Sequence, residues 1–292
     1  METGQVLQGV GSFYTVEDAL GNTYTLRCKK KFRRQGISPV PGDQVLFSPG
    51  TGEEHGWLEE ILPRKNYCLR PPVANIDMLI IVLAPVPAPD LLLADRMISR
   101  AMAQGIRVVI AVNKGDLDAG LAGRIAEEYA GTEIPVLPVC AEKKTGLEPL
   151  RALMKGSLCC FTGQSGAGKS TLLNALMDLE LETGDISRKI ARGKNTTRHA
   201  ELIRKNGLSV MDTAGFNLLE TEKNLAPEAL KTRYPEFSAY EGKCRFRECL
   251  HDREPGCAVT EAVKNGVLHA ARVERYRQLL ADVRESWRER YD

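Results

Sequence analysis

A nine-residue stretch in the middle of the chain constrains the fold more than any other feature. Residues 163–171 read GQSGAGKST and fit the G-x-x-x-x-G-K-[ST] pattern of a phosphate-binding loop. An apolar run of buried-strand type, residues 158–161, precedes the loop, and residues 172–177 follow it with the composition of a helix. This order predicts a nucleotide-binding α/β domain, because the N–H groups of the turn and the helix N-terminus can hold phosphate.

We expect the whole loop to contact the nucleotide. Lys169 should reach the terminal phosphates, and the Ser170 hydroxyl should be a ligand of Mg²⁺. The predicted nucleotide-binding residues of the loop are Gly163, Gln164, Ser165, Gly166, Ala167, Gly168, Lys169, Ser170 and Thr171. The alternative is a glycine-rich turn without a ligand, which would not require the lysine, the hydroxyl and both flanking elements.

The chain before this loop alternates between apolar runs and helical patterns. Residues 76–83 and 107–112 are nearly continuous apolar runs, which are typical of buried parallel strands, and residues 134–139 form a third such strand. Helical patterns at residues 90–104 and 121–130 separate them. The alternation predicts an open, mostly parallel sheet with ligand-binding loops at the carboxyl ends of its strands.

Two of these loops carry groups that suit guanine. Asn113, Lys114 and Asp116 form an N-K-x-D pattern after the second strand. Guanine offers two adjacent donors to the Asp116 carboxylate, whereas adenine would leave that carboxylate unpaired. We expect Asn113 to hold the loop and touch the base, with the stem of Lys114 over the ring. Cys140 and Ala141, after the third strand, resemble the base-contacting S-A loop of GTPases.

The segment after the phosphate loop predicts two switch regions. Residues 186–199 are basic and too polar to be buried, so we expect a mobile loop in which Thr196 or Thr197 closes on Mg²⁺. A disordered basic linker is the alternative. In the following D-x-x-G pattern, Asp212 would hold Mg²⁺ through water, and the Gly215 amide would sense the γ-phosphate. The predicted catalytic residues are Lys169, Thr197, Asp212 and Gly215, and the predicted magnesium ligands are Ser170, Thr197 and Asp212.

The residue that positions the attacking water stays unassigned. Ras-like enzymes use a glutamine directly after the D-x-x-G pattern. This chain has Phe216 there, and its side chain can neither donate nor accept a hydrogen bond. We therefore infer slow intrinsic hydrolysis that a partner accelerates.

Four potential metal ligands are clustered near the carboxyl terminus. Cys244, Cys249, His251 and Cys257 have the spacing C-x4-C-x-H-x5-C. Three thiolates and one imidazole complete a tetrahedral set for a structural Zn²⁺ ion and leave no open position for catalysis. The remaining cysteines have no such spacing and are predicted to be core or near-core thiols.

Two basic stretches bear on RNA binding. Residues 27–34 contain six cations and no acid, which predicts either a phosphate-binding footprint with Phe32 as a stacking ring or a solvated loop. The six cations are Arg27, Lys29, Lys30, Lys31, Arg33 and Arg34. The helical pattern at residues 267–284 also carries arginines, but acids are interleaved, which favours a solvated helix face over RNA contact.

The motifs and composition predict three domains. Residues 1–70 contain short β-prone pieces between turns, typical of a small barrel such as an oligonucleotide-binding (OB) fold. Residues 71–222 hold the nucleotide motifs, and residues 223–292 hold the metal cluster and further helices. The N-K-x-D pattern precedes the phosphate loop, the reverse of the usual order, so the central domain is predicted to be a circularly permuted P-loop GTPase. The D-x-x-G segment would then couple nucleotide state to the zinc-binding helical domain.

Composition excludes several classes of protein. No apolar run approaches the roughly 20 residues of a membrane span, and the N-terminus lacks the features of a signal peptide. We therefore expect a cytoplasmic protein that does not bind membranes, in which clustered cysteines bind metal rather than form disulfides. The net charge of +2 gives no global argument for nucleic-acid binding.

These motifs resemble the ribosome small-subunit-dependent GTPase A family (RsgA, also YjeQ). The resemblance covers essentially the whole chain and includes RPPVANID at residues 70–77, GQSGAGKST, DTAGF at residues 212–216 and the zinc spacing. It implies a bacterial GTPase, expected here as a monomer, that acts late in small-subunit maturation, binds ribosomal RNA and is stimulated by the subunit. Many members have histidine where this chain has Asn195, so the catalytic group is not transferred.

The motifs are compatible with three functions. The leading one is a GTP-hydrolysing assembly factor of the small ribosomal subunit. The second is an RNA-binding factor in which GTP occupancy is the signal and hydrolysis is incidental. The third is an ATP-dependent kinase built on the same phosphate loop, which Asp116 argues against because its carboxylate suits guanine.

Overall fold

The fold was obtained as a computed structural model, which describes most of the chain. The described residues are 1–29, 31–32, 36–50, 54–69, 71–179, 200–212 and 225–290. They form a barrel, a six-stranded sheet with its helices, and a helical carboxyl-terminal module. The domain limits at residues 70 and 222 remain predictions from the sequence.

The amino-terminal part of the chain is a closed barrel with the strand order β1–β2–β3–β5–β4. The strands are β1 (Glu2–Val10), β2 (Phe13–Asp18), β3 (Thr23–Cys28), β4 (Gln44–Ser48) and β5 (Gly56–Ile61). Neighbouring strands are antiparallel except β3 and β5, which are parallel. Because successive side chains point to opposite faces of a strand, alternate residues fill the barrel: Val6, Val16, Leu26, Val45, Phe47 and Leu58.

Phe32 packs with these core residues and is only 5% exposed. The prediction that its ring stacks on RNA is therefore wrong. The physical reason is that burial removes a large apolar ring from water, which stabilises the barrel more than exposure would. Lys29, another member of the basic stretch, pairs with Glu59 of β5. Lys30, Arg33 and Arg34 lie outside the described residues.

The central sheet has the strand order β10–β9–β8–β11–β13–β12 and is parallel except for β12. A short hairpin, β6 (Tyr67–Leu69) and β7 (Pro72–Ala74), connects the barrel to it. The sheet strands are β8 (Met78–Leu83), β9 (Arg107–Val112), β10 (Val136–Pro138), β11 (Leu158–Thr162), β12 (Glu201–Lys205) and β13 (Leu208–Asp212). β8 and β11 are buried throughout, as expected for strands covered by helices on both faces.

Helices cover the sheet and build the carboxyl-terminal module. They are α1 (Leu91–Ala103), α2 (Leu121–Glu128), α3 (Leu147–Met154), α4 (Lys169–Met177), α5 (Pro227–Leu230), α6 (Ala258–Lys264) and α7 (Ala270–Arg288). Two short 3-10 helices, Lys231–Arg233 and Pro235–Tyr240, follow α5. Within the part of the chain that the structure describes, no helix combines the length and the apolar character needed to cross a membrane.

A buried ion-pair network fastens the carboxyl-terminal module to the sheet domain. Asp95 of α1 is fully buried and accepts hydrogen bonds from Arg272 and from Arg275 Nε, the latter at 2.6 Å. Arg272 is 3% exposed and also donates to Glu236 at 2.8 Å. Arg275 pairs in addition with Glu128 of α2. Asp95 and Glu128 of the sheet domain thus neutralise Arg272 and Arg275 of α7. Glu236, the third acid of the network, lies within the carboxyl-terminal module.

This network corrects the prediction of a solvated helix face. Arg272 lies between helices, and its guanidinium carbon is 4.9 Å from the ring centre of Tyr129 and 4.3 Å from that of Tyr234. Burial of an arginine is tolerated only where acids and hydrogen bonds compensate for lost hydration. The compensating carboxylate, Asp95, comes from a distant part of the chain, which helical periodicity around Arg272 cannot reveal.

Replacing Asp95 with alanine should strongly destabilise the attachment of α7, because two buried guanidinium groups lose their common partner. We expect a loss of about 3–5 kcal/mol in the free energy of unfolding. Urea titration followed by the emission of Trp287 on α7 measures this, in a Trp57→Phe background that leaves one tryptophan. The matched control is Asp282→Ala, which removes an exposed pair with Arg96 between the same two helices and should cost about 0–1 kcal/mol. Equal losses of unfolding free energy in Asp95→Ala and Asp282→Ala would contradict the assignment of Asp95 as the buried partner of both arginines.

Candidate nucleotide site and metal cluster

The parallel strands bring the predicted nucleotide motifs to one edge of the sheet. Asn113 follows the last residue of β9, and Gly163 follows the last residue of β11. Cys140 lies two residues beyond β10, and Asp212 ends β13. Because carboxyl ends of parallel strands share an edge, residues that are distant along the chain, and reversed in order, become neighbours.

Two glycines of the phosphate loop occupy positions that no other residue fits. Gly163 has φ 131°, and a Cβ built on it would lie 2.2 Å from the Val82 carbonyl oxygen. Gly168 has φ 90°, and its Cβ would lie 2.4 Å from Asn113 Nδ2. Both positions combine a backbone conformation that favours glycine with a close approach. The loop therefore packs directly against β8 and the N-K-x-D segment.

Asn113 joins three predicted motifs with one side chain. It is 2% exposed, and its Nδ2 donates to the Ala167 carbonyl at 3.0 Å and, more weakly, to that of Gly168 at 3.4 Å. Its Oδ1 accepts a hydrogen bond from the Ala141 N–H at 3.0 Å. Since the amide supplies both a donor and an acceptor, it fixes the loops after β9 and β10 relative to the phosphate loop.

Two lysines contact carbonyl oxygens of the phosphate loop. Lys114 Nζ donates to the carbonyls of Val86 and Gly166, both at 2.7 Å. Lys169 Nζ donates to the carbonyls of Gly163 and Gln164, both at 2.8 Å. Burial lowers the pKa of Lys169. Lys114 thus links the loop after β8 to the phosphate loop, while the Lys169 ammonium lies inside the turn that would receive phosphate.

Asp116 is held by two donors from the loop after β10. Cys140 Sγ lies 3.2 Å from its Oδ1, and Lys143 Nζ lies 3.6 Å from its Oδ2. The thiol hydrogen bond, with a smaller contribution from Lys143, holds the pKa of Asp116 below its usual range. The carboxylate is therefore ionised and ready to accept hydrogen bonds, and the cysteine in the S-A position supplies the donor that a serine would.

The remaining residues of the phosphate loop are partly accessible. Ser165 and Gly166 are exposed at the outer side of the turn, whereas Ala167 is fully buried. Ser170 and Thr171 lie in the first turn of α4 and are half-buried. Backbone N–H groups at the start of this helix are the donors that favour phosphate.

Two contacts of the site were not foreseen. Gln164 Oε1 accepts a hydrogen bond from the Asp90 N–H at 2.8 Å, which connects the phosphate loop to the beginning of α1. The other is Lys143, whose pairing with Asp116 is given above. Asp90 carries a sequence signal as a helix N-cap, and its side chain does accept from Leu93 N–H. Nothing in the sequence around Gln164 indicates its partner.

Several predicted residues of the switch regions lie outside the described residues, namely Asn195, Thr196, Thr197, Gly215 and Phe216. Asp212 is described for its backbone alone. The pairing of β13 with β11 places this backbone beside the strand that leads into the phosphate loop. The roles assigned to these residues stay predictions.

The four predicted metal ligands come together in the carboxyl-terminal module. His251 Nδ1 lies 3.5 Å from Cys244 Sγ, 3.6 Å from Cys249 Sγ and 3.5 Å from Cys257 Sγ. All four ligand atoms lie within 4.8 Å of one another. A tetrahedral ion with ordinary zinc–sulfur and zinc–nitrogen distances separates its sulfur and nitrogen ligands by about 3.6 Å. The cluster can therefore hold one tetrahedral ion without rearrangement.

Neighbouring groups prepare this cluster for a cation. Burial, together with the neighbouring cysteine sulfurs, raises the pKa of Cys249, so this thiol ionises readily only beside a positive ion. Burial also lowers the pKa of His251, which favours the neutral, ligating imidazole. The Ala258 N–H donates to Cys244 Sγ at 3.3 Å and would support a thiolate there.

Comparison with known proteins identifies the family. The family model described as RsgA GTPase matches residues 61–222, and the one described as RsgA N-terminal domain matches residues 3–58. A protein of Ruminiclostridium cellulolyticum named small ribosomal subunit biogenesis GTPase RsgA is 41% identical over 284 residues, covering 96% of this chain and 93% of that protein. The chain belongs to the RsgA GTPase family. The predicted family is thereby confirmed.

Other RsgA proteins and two solved structures agree with this assignment. The protein of the same name from Moorella thermoacetica is 40% identical, covering 96% of this chain and 97% of that protein. The crystal structure of YjeQ from Thermotoga maritima has a TM-score of 0.84 and 31% identity, covering 97% of this chain and 98% of that chain. YloQ, described as a circularly permuted GTPase, has a TM-score of 0.82 and 28% identity, covering 98% and 96%. The predicted fold class is confirmed.

Gly168→Ala should disrupt nucleotide binding, because the new methyl group would meet the Asn113 amide at a backbone position that disfavours side chains. We expect the dissociation constant for GDP, measured by calorimetry, to rise by about 10-fold or more, equivalent to ~1.4 kcal/mol. The matched control is Gly123→Ala in α2, where a Cβ meets open space and binding should not change. Unchanged affinity of the Gly168 variant would contradict the described packing.

Proposed function

We propose that this chain hydrolyses GTP to GDP and phosphate and acts in the biogenesis of the small ribosomal subunit. Its membership of the RsgA GTPase family supports both parts, since full-length relatives are named small ribosomal subunit biogenesis GTPase RsgA. The observation within the chain that carries the proposal is Asn113, whose side chain ties the loops suited to guanine to the phosphate loop. One guanine nucleotide can therefore contact the loops suited to guanine and the phosphate loop at the same time.

We assign the base and the phosphates to opposite ends of this site. Asp116 accepts the two adjacent donors of guanine, and Cys140 and Ala141 line the base beside it. Lys169 exchanges its carbonyl contacts for the terminal phosphates, which offer the ammonium a stronger, charge-assisted interaction. The loop N–H groups from Gly163 to Thr171 surround the phosphates. Catalysis then depends on positioning and electrostatic stabilisation of the transferred phosphoryl group.

Magnesium accompanies GTP in GTPases, and the donor set here suits it. When bound, Mg²⁺ would supply positive charge against the charge that develops on the phosphates during transfer. Ser170 at the start of α4 and Asp212 at the end of β13 are oxygen donors on neighbouring elements, as this cation prefers. We assign Thr197 as the third ligand and the Gly215 amide as the sensor of the γ-phosphate, as the sequence predicts.

We assign Zn²⁺ as the ion of the Cys3His cluster, with a structural role. The sulfur–nitrogen distances of 3.5–3.6 Å agree with tetrahedral zinc, and three thiolates favour it over oxygen-seeking cations. Four protein ligands leave no position for a substrate. The ion would hold the segment before α6 against the 3-10 helices and α7, where Tyr276 donates to the Leu250 carbonyl at 2.5 Å.

The partner is proposed to be the small subunit together with its ribosomal RNA. We further propose a cytoplasmic monomer that does not bind membranes. Phe216 has no hydrogen-bonding group with which to orient the attacking water, and no role is transferred to Asn195, so the subunit is proposed to accelerate hydrolysis by completing the site. Asp116 and its Cys140 contact argue against an ATP-dependent kinase, because adenine would leave this carboxylate unpaired.

Hydrolysis measured with small subunits, with large subunits and with neither tests the proposal. Of the three conditions, only the addition of small subunits should raise the rate of GTP hydrolysis. The increase should be on the order of 100-fold if the subunit supplies one missing catalytic group. Asp116→Asn should weaken GTP binding by about 100-fold or more. Asp118→Asn is the matched control, because this neighbouring carboxylate turns toward Arg124 and should leave binding unchanged. Equal rates with ATP, or no response to small subunits, would refute the proposal.

Metal analysis of the purified protein tests the zinc assignment. We expect one Zn²⁺ ion per chain, and Cys257→Ser should lose it because a neutral hydroxyl is a much weaker ligand than a thiolate. The unfolding midpoint reported by Trp287 should fall at the same time. Cys68→Ala is the matched control, since Cys68 packs against the sheet core and should leave the zinc content unchanged. A different metal, or full zinc content in Cys257→Ser, would contradict the assignment.

A further inference from the structure

The helix α1 packs on the central sheet with one face and on the carboxyl-terminal module with another. Ala94, Met97 and Ile98 lie in a core cluster of the sheet domain. Leu92 packs instead against the core of the carboxyl-terminal module. It lies on the same face of the helix as Asp95, because residues three apart are neighbours on a helix surface. The helix is therefore a direct connection between these two parts of the protein.

The amino terminus of α1 is bonded to the phosphate loop. The Asp90 N–H donates to Gln164 Oε1 at 2.8 Å. Asp90 is also the N-cap of the helix, since its side chain accepts from the Leu93 N–H at 2.9 Å and its carbonyl accepts from the Ala94 N–H at 3.1 Å. A displacement of the first turn of α1 would therefore break or strain the bond to Gln164.

The main chain of Gln164 lies at the phosphate end of the site. Its carbonyl accepts a hydrogen bond from Lys169 Nζ at 2.8 Å and one from the Ala167 N–H at 3.3 Å. The strand that leads into the loop also touches α1, because the Thr162 hydroxyl lies 3.4 Å from Met97 Sδ and both side chains are buried. Gln164 thus bonds with its carbonyl to the lysine that would meet phosphate and with its side chain to α1.

We propose that Gln164 is a positioning residue, which couples nucleotide binding to the attachment of the carboxyl-terminal module through α1. The inference rests on the proposed function, since it requires that the phosphate loop binds a guanine nucleotide. Asp95 lies five residues beyond Asp90, about 7.5 Å along the helix axis, and holds Arg272 and Arg275 of α7. One and a half turns of helix therefore separate the buried ion pairs from the phosphate loop.

The coupling acts in both directions. A nucleotide that orders the phosphate loop favours the bond between Gln164 and Asp90, and with it the position of α1 in which Asp95 pairs with α7. Conversely, the intact ion pairs hold α1 where its first turn meets Gln164, so the loop is arranged before the nucleotide arrives. Thermodynamic linkage requires the two effects to be equal in free energy. This connection is separate from the route through the D-x-x-G segment, which follows the phosphate loop in the chain.

A double-mutant cycle on the affinity for GDP tests the coupling. Gln164→Leu nearly keeps the size of the side chain and removes its acceptor, while Asp95→Asn keeps the shape and removes the charge. Asp95→Asn should raise the dissociation constant for GDP about 3-fold or more in the protein with Gln164 and leave it unchanged in Gln164→Leu. Residues that are not in contact otherwise act independently, so an equal effect of Asp95→Asn in both proteins would overturn the proposal.

Asp282→Ala is the matched control for this cycle. It removes the exposed pair with Arg96, which joins the same two helices as the buried network. Because an exposed pair contributes little to holding the helices together, Asp282→Ala should leave the affinity for GDP unchanged. A rise in the dissociation constant equal to that of Asp95→Asn would show that the effect is not specific to the buried pairs, and would overturn the proposal.

Two further variants keep the test decisive. If Asp95→Asn fails to fold, Arg275→Gln takes its place, because Asp95 then keeps its pair with Arg272; its effect on GDP affinity should likewise vanish in Gln164→Leu. Gln164→Glu retains an acceptor oxygen at the same reach. Its charge should weaken phosphate binding overall, but the dependence on Asp95 should return. Failure of Gln164→Glu to restore that dependence would overturn the role of the hydrogen bond.

Hydrogen exchange gives a readout that a purely structural role of Gln164 would not change. In the unchanged protein, saturating GDP should slow amide exchange in α7 about 3-fold, since the stabilised attachment opposes local opening of the helix. In Gln164→Leu, saturating GDP should still protect the phosphate loop and α4 but leave exchange in α7 unchanged. Equal protection of α7 in the two proteins would overturn the proposal.

Hydrolysis assays separate this inference from the proposed function. GTP hydrolysis that small subunits stimulate, together with independent effects of Gln164→Leu and Asp95→Asn on GDP affinity, would overturn the coupling and leave the proposed function intact. A coupled cycle without stimulation by small subunits would support the role of Gln164 and count against the proposed function. No binding of GDP to the unchanged protein would overturn both.

Discussion

The nucleotide site depends on one buried amide, that of Asn113. The loops that it connects come from three separate strands, and Lys114 and Cys140 add further contacts between them. A primary amide presents its donor and its acceptor in opposite directions, so the Ala167 carbonyl and the Ala141 N–H are held at a fixed separation. Because the group is almost fully buried, breaking either bond would leave a polar atom without solvent to replace it.

The sheet explains how reversed motifs can build an ordinary site. β11 lies between β8 and β13 and is parallel to both, so the phosphate loop emerges between elements that precede and follow it in the chain. Strand pairing requires only the right neighbours, whatever order the chain visits them in. Permutation therefore changes which ends of the domain are connected to other modules, while the loops at the carboxyl edge still meet.

Sequence patterns correctly predicted the strands and helices whose limits are determined by neighbouring residues in the chain. β9 spans Arg107–Val112, as its apolar run indicated, and α1 lies between the predicted Asp90 cap and Gly105. Patterns failed where a distant segment decides the outcome. The arginines of α7 looked solvated because Asp95, the partner that allows Arg272 to be buried, lies far away in sequence. The pattern of β5 is weak because its exposed tryptophan and acids hide the alternation of Gly56 and Leu58 into the core.

The metal cluster has a consequence for the order of assembly. Its four ligands all lie between Cys244 and Cys257, so closing that loop costs little chain entropy. The central sheet must instead bring Met78 against Cys159, although three helices and two strands lie between them in the chain, and such non-local pairing is slow. A bound cation would therefore hold residues 244–257 together through local contacts alone, whereas the ion pairs of Arg272 and Arg275 with Asp95 require the distant α1.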